Sequence, residues 1–153
     1  MKRSFEHRAY WPRVSSYLDA DESVASGTAE ALTLTTVNFE TASGFAPTPA
    51  GVGTTFTVPC DGLWLIHGGI QWASDSTADK YRYVYLYKNA AFLHTLSLVN
   101  NVESANNTII GGSCQAVLAK GDTLEIYAGQ NSGAALNALT SGSTYLSAIL
   151  LGK

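Results

Sequence analysis

From Ala31 onward, apolar and polar residues alternate with a period of two, the spacing of a strand with one buried face. "ALTLTTVNFE" sets Leu32 and Leu34 on one face and then changes phase to Val37 and Phe39, as a bulge or break near Thr35-Thr36 would do. "GFAPTPAGVG" is a loop, rich in proline and glycine. "TTFTVP" aligns Phe56 and Val58, and "PCDG" turns the chain. The clearest strand follows, with Trp64, Ile66, Gly68, Ile70 and Trp72 on one face and His67 and Gln71 on the other. After the polar turn "ASDSTADK" comes "YRYVYLYK". It puts Tyr81, Tyr83, Tyr85 and Tyr87 on one face and Arg82, Val84, Leu86 and Lys88 on the other.

Four more strands are predicted. "FLHTLSLV" has Phe92, Leu96 and Leu98 in phase, and "IIGGSCQAVL" aligns Ile110, Cys114, Ala116 and Leu118. Beyond the tight turn "AKGD", "TLEIYAG" buries Leu124, Ile126 and Ala128. Residues 129–142 read as a loop of small residues leading to the closing strand "STYLSAILL". No long window has helical periodicity with caps. About eight short strands separated by Gly, Pro, Asn and Asp turns predict an all-β, two-sheet sandwich or barrel. Residues 1–30 lack strand alternation and have few large apolar side chains. They are expected to form a flexible or surface-wrapping arm, with the domain itself over residues 31–153.

Composition changes this picture in one respect. Charged residues make up 14% of the chain, against ~25% in ordinary soluble domains. The missing charges are replaced by Thr, Ser, Asn and Gly, which suits a turn-rich β domain and a surface that meets other proteins. The formal net charge of −3 is unevenly spread. Lys2, Arg3, Arg8 and Arg13 against Glu6 give the first thirteen residues +3, leaving −6 on the rest. The body therefore has no basic footprint for nucleic acid. Charges at Glu6, His7, Arg8 and Arg13 interrupt any apolar run near the N-terminus, so no secretory signal is expected there. No stretch reaches the ~20 apolar residues of a helical membrane span.

Candidate chemistry is sparse. His67 and His94 stand beside no nucleophile motif, and "GGSC" lacks the Gly-x-Ser-x-Gly elbow, so both histidines read as ordinary sheet residues. Asp61, Asp75, Asp79 and Asp122 fall in predicted turns, where Asp bonds the local backbone. Asp75 and Asp79 with neighbouring carbonyls form a conceivable calcium site, a weaker reading than turn residues. Cys60 and Cys114 fit no metal spacing and read as buried thiols. No catalytic residue, metal or cofactor is expected.

The tyrosine stripe and the arm are harder to explain as ordinary surface. Four tyrosines in register form apolar bodies with polar tips. They either pack inside the sandwich with their hydroxyls satisfied or line a subunit contact. The second is expected, because Val84 and Leu86 can supply the core face. In the arm, Lys2, Arg3, Phe5, Arg8, Tyr10, Trp11 and Arg13 combine aromatic and cationic groups of the kind that anchor interfaces. Pro12 stiffens the segment after Trp11, which lowers the entropy lost on docking. The arm is expected to fold onto a partner. Packing onto its own oligomer and plain disorder are the alternatives.

Four pieces resemble, in order and spacing, the globular head of complement component one, subcomponent q, and its tumour-necrosis-factor relatives. Pro59, Asp61, Gly62 and Trp64 match a turn and Gly-x-aromatic strand, and Leu118, Gly121 and Asp122 match a Leu-x-x-Gly-Asp turn. Ser143, Thr144 and Tyr145 match the Ser-Thr-aromatic start of the closing strand. Asn89-Ala90 departs from the family's Asn-Gly, which argues against a tight two-residue hairpin there. The resemblance covers residues 31–153. It implies a jelly-roll sandwich that assembles as a homotrimer, with Tyr81, Tyr83, Tyr85, Tyr87 and Tyr145 at the interface.

The family's animal members usually carry a signal peptide, a collagen stalk or a membrane anchor. The Ser/Thr/Ala/Gly-rich texture of "WAS" and "GQNSGAALNAL" looks more like versions from bacterial viruses. The function expected is a bacteriophage capsid decoration protein. It would be made in the host cytoplasm, sit on the outer shell of the virion, and bind the major capsid protein through its arms. No nucleic-acid or membrane partner is expected. The alternative is a receptor-binding knob of a phage fibre or tail that recognises a host glycan or protein. A secreted recognition or signalling ligand is a third class.

Overall fold

The computed structural model describes residues 12–40, 48–49, 54–75, 80–100 and 106–153. Every regular element among them is a strand. One sheet is centred on β7 (Gly62–Trp72), which pairs antiparallel with β10 (Thr108–Leu118) on one side. On its other side are β13 (Tyr145–Gly152), then β1 (Arg13–Tyr17), then β4 (Thr36–Glu40). Short β12 (Leu136–Ala138) meets the end of β7 at Trp72 and pairs with β2 (Glu22–Val24). The second sheet runs β5 (Thr48–Pro49), β6 (Thr54–Thr57), β11 (Thr123–Gln130), β8 (Tyr81–Lys88), β9 (Ala91–Asn100). β3 (Ala29–Ala31) pairs with β11 as well.

The core lies between the sheets and follows from the period-two pattern. Trp64, Ile66, Ile70 and Trp72 of β7 are fully buried. They meet Leu146, Ala148 and Leu150 of β13 and, from the second sheet, Phe56, Val84, Leu86, Leu124, Ile126 and Ala128. Burying each large aliphatic side chain of this set contributes roughly 1.5–3 kcal/mol. Gly68 shares this face because a Cβ there would stand 2.8 Å from the side chain of Ile126 and 3.0 Å from that of Leu96.

The structure departs from the alternation pattern in three places. Residues 13–31 are not an arm. They carry β1, β2 and β3, and Val14, Leu18 and Val24 are buried in the core. These strands are too short to show periodicity, yet each is anchored by pairing to β13, β12 or β11. The boundary expected near Ala31 therefore moves to before Arg13. Within the expected loop 129–142 lies β12. Phe92 and Leu98 leave the core face and are 56% and 53% exposed, while Leu93 and Leu96 pack against the core. Two irregularities in the β8–β9 register, at Val84/Tyr85 and Leu86/Tyr87, change which residues of β9 face inward.

The Asn89-Ala90 turn also differs from expectation. Lys88 pairs with Ala91, so the connection has two residues, and both sit at positive φ (51° and 60°) as the tight hairpin turn requires. Asn89 tolerates that region. Ala90 reaches it because its surroundings hold the turn: Asn89 Nδ2 donates to Asp122 Oδ1 (2.8 Å), and the Thr123 amide donates to Asn89 Oδ1 (2.8 Å).

Candidate interaction surfaces

Neither histidine nor either cysteine is part of a catalytic arrangement in the described residues. His67 projects from the outer face of the β7 sheet and meets Tyr145 edge-on, with Tyr145 Oη 2.8 Å from His67 Nε2. His94 and Cys114 line a groove of about 290 Å³ with Leu93, Gln115 and Ala116, where the edge strands β9 and β10 face each other. Burial pushes the Cys114 thiol up from its ordinary range, which leaves it protonated and weakly nucleophilic. An open depression of about 510 Å³ is lined by Cys60, Asp61, Gly62, Lys120 and Lys153. No group of three or more His, Cys, Asp or Glu converges to hold a metal ion among the described residues. Both cysteines are free thiols and half-buried.

The turn aspartates serve the backbone. Asp61 Oδ1 accepts from the Lys120 amide (2.7 Å). Asp122 accepts from the Ala119 amide (2.9 Å), from Asn89 and from Lys88 Nζ (3.1 Å). The Ala119 amide and the Asn89 side chain, with a smaller contribution from Lys88, hold its carboxyl below the usual carboxylate range. Asp75 is described, while Asp79 lies outside the described residues, so the calcium pairing cannot be placed.

Of the arm residues, Lys2, Arg3, Phe5, Arg8, Tyr10 and Trp11 lie outside the described residues. Arg13 opens β1 opposite Ile149, and the Pro12 carbonyl accepts from the Leu150 amide (3.0 Å). The chain thus enters the sandwich beside the end of β13. This is the end that also carries Gly62, whose missing Cβ leaves room for the Gly152 carbonyl.

The tyrosines lie outside the sandwich. Val84 and Leu86 take the core face of β8, and Tyr81, Tyr83, Tyr85 and Tyr87 take the outer one. Their rings stack along the strand, with centroids 5.7 Å apart for Tyr81–Tyr83 and 4.3 Å for Tyr83–Tyr85. Tyr87 stacks across the ladder on Tyr127 of β11 at 4.0 Å, and Phe92 of β9 meets Tyr85 and Tyr87 edge-on. Tyr83 is only 8% exposed because its ring lies over Gly129, where any Cβ would overlap the ring. Burial, then the neighbouring Tyr85, Tyr81 and Tyr87, raise the Tyr83 phenol. Burial and then Glu125 and Tyr87 raise that of Tyr127. These phenols therefore stay protonated through neutral pH.

Tyr145 is not part of this stripe. It stands on the outer face of the opposite sheet, 3.0 Å from where a Cβ of Gly69 would be. The structure adds surface residues that the sequence reading did not single out. Tyr127 extends the stripe, and Leu63, Ile109 and Val117 are 38%, 61% and 79% exposed on the outer face of the β7 sheet. Tyr127 was legible as an odd position in "TLEIYAG". Ile109 and Val117 were legible as the positions between the inward residues of β10.

Similarity to known proteins is confined to structure. No protein-family model matches the chain, and no curated protein matches it in sequence. Among solved structures, murine APRIL superimposes with a TM-score of 0.63 at 14% identity, over 92% of this chain and 99% of that one. The globular domain of zebrafish complement 1qA gives 0.59 at 16% identity, over 93% and 98% of the two chains. An Eiger TNF from S. frugiperda gives 0.58 at 13%, over 94% and 92%. The fold is the jelly roll shared by TNF-type and C1q-type domains. At these identities the likeness extends to the fold and not to what it binds.

Proposed function

We propose that the chain is a non-enzymatic assembly protein. In this reading it is a homotrimer that decorates the outer capsid of a bacterial virus, strapped to the major capsid protein by its N-terminal arms. The observation that carries the assembly step is where the exposed apolar side chains lie. Phe92 and Leu98, opposite Tyr87 and Tyr83, lie on the outer β8 face, and Val37 stands apart on β4. Val99, Ile109 and Val117 belong to β9 and β10, the two strands at one edge of the sandwich, and Leu63 pairs with Val117 beside them. Such a cluster on a domain with few charges marks a contact surface.

Symmetry narrows that contact. A cyclic trimer joins two different patches of each subunit, and its two neighbours lie on adjacent sides of it, never on opposite ones. The β8 tyrosines and Tyr145 occupy opposite outer faces, so one three-fold contact does not engage both. The β9/β10 edge of one copy against the Tyr145–His67 face of the next satisfies the geometry. The β8 stripe then stays outside the ring.

The arm supplies the attachment. Three copies on one trimer bind together at high effective concentration, so weak single contacts give firm retention. Co-sedimentation with empty phage shells tests the reading, using the full chain and a version beginning at Pro12, which keeps β1. Retention of the full chain alone is expected. Equal pelleting of both forms removes the arm as the strap, and pelleting of neither removes the capsid as partner. The fibre-knob alternative is favoured by one observation, the aromatic face on the second sheet.

A further inference from the structure

We propose that the outer face of the β8–β11–β9 sheet is a binding platform for an uncharged saccharide. The inference does not depend on the capsid reading. The face carries six contiguous aromatic rings: Tyr81, Tyr83, Tyr85, Tyr87, Tyr127 and Phe92. They are fixed by mutual stacking, so ordering them on binding costs little entropy. Among the described residues, no hydrogen bond occupies the hydroxyls of the five tyrosines. A row of apolar ring bodies with unengaged hydroxyl tips matches a ligand whose own surface alternates C–H faces with hydroxyl groups.

Charge selects among ring-shaped ligands. Aromatic platforms that stack nucleobases work together with cations that hold the phosphates. Both cations of β8 are withdrawn from this face. Arg82 is on the core side and 1% exposed, and Lys88, also on that side, is paired with Asp122 at 3.1 Å. Among the described residues, the charged group that shares the face across from Tyr87 is Glu125, whose Oε1 accepts from Thr55 Oγ1 (3.2 Å). A carboxylate beside aromatic rings repels phosphates, sulfates and acidic sugars and accepts hydrogen bonds from neutral ones. The occupant that fits is a neutral sugar chain laid along the tyrosines.

Gly129 gives the site a handle that removes no aromatic atom. Its missing Cβ is what lets the Tyr83 ring settle across β11. Gly129→Ala must lift that ring and break the stack between Tyr81 and Tyr85.

Native affinity electrophoresis tests the proposal with the full chain in gels containing laminarin, hydroxyethyl cellulose, dextran or soluble starch, with polygalacturonate as the anionic comparison. Retardation is expected in at least one neutral gel and not in polygalacturonate. Tyr87→Ala, at a partly exposed position, and Gly129→Ala should each weaken it by about tenfold in apparent Kd, the scale of one lost stacking partner. Lys120→Ala, on a remote loop, should leave it unchanged. Thermal melts and light scattering on each variant report folding and oligomer mass. Retardation by no neutral polysaccharide, retardation by polygalacturonate alone, or retardation indifferent to Tyr87→Ala overturns the proposal. So does a fall in oligomer mass in Tyr87→Ala, which would make the face a subunit contact.

Discussion

Ala90 shows how much a single position can hold in tension. An L-residue at φ 60° carries a steric cost of roughly 1–2 kcal/mol that glycine avoids. Glycine in turn has a larger unfolded-state entropy to lose, so the net gain from Ala90→Gly is about 0.5–1 kcal/mol. Urea denaturation should show a higher midpoint with an unchanged slope; an unchanged or lower midpoint would mean that the turn is not strained at Ala90. Asp122, across the same turn, makes a pH prediction. Its folded-state affinity for protons is depressed, so its contribution to stability is complete above its unfolded value, ~3.9. That contribution fades as pH falls through the lower folded value. Melting temperature should therefore decline between about pH 5 and pH 3 in the native chain, and less steeply in Asp122→Asn. At neutral pH that variant should be less stable by about 1–2 kcal/mol, through loss of charged acceptance from Ala119 and Asn89. Parallel pH curves for the two proteins would count against the assignment.

At the scale of elements, the interior strands were legible and the peripheral ones were not. In β7 and β13 every inward residue is apolar, in β11 all but Gln130 at its end are, and the inward positions alternate because each strand is paired on both sides. β9 is an edge strand. With β8 as its only strand partner among the described residues it accepts two register irregularities, and strict alternation then assigns Phe92 and Leu98 to the wrong face. β1 to β3 have three to five residues each, too few for a period, and apart from the β1–β4 pairing their partners β13, β12 and β11 belong to the last third of the chain. The tyrosine stripe was legible as a face, since Val84 and Leu86 left it no core to enter. Its extension to Tyr127 and Phe92 was not, because cross-strand neighbours depend on register. The edge also carries a testable packing constraint. A Cβ at Gly112 would collide with the Leu96 carbonyl, a backbone atom with no room to retreat, where β9 and β10 approach each other. Gly112→Ala should cost about 2–3 kcal/mol, at the upper end for overpacking. A chemical denaturation midpoint within error of the native value would show that the two edges are not in contact.

For the whole molecule, the proposed trimer turns on which surface would close the ring. The sandwich has two outer faces and one open edge rich in exposed apolar groups, and a three-fold contact takes an edge with the face beside it. Val117, 79% exposed and paired with Leu63, sits where the β9/β10 edge meets the β7 face. In the isolated fold it touches little, so Val117→Asp should leave the fold's intrinsic stability almost unchanged. In the ring it would bury an unpaired carboxylate three times over, a penalty far beyond what a rim contact can absorb. Light scattering should then report one copy for Val117→Asp and three for the native chain at the same concentration. Tyr85→Asp, on the opposite sheet, should remain a trimer. The reverse pattern, with Tyr85→Asp monomeric and Val117→Asp trimeric, would move the contact to the β8 stripe and take away the free face on which the saccharide platform depends. Because the two substitutions lie on opposite sheets, the pair of masses decides between the surfaces without a structure of the assembly.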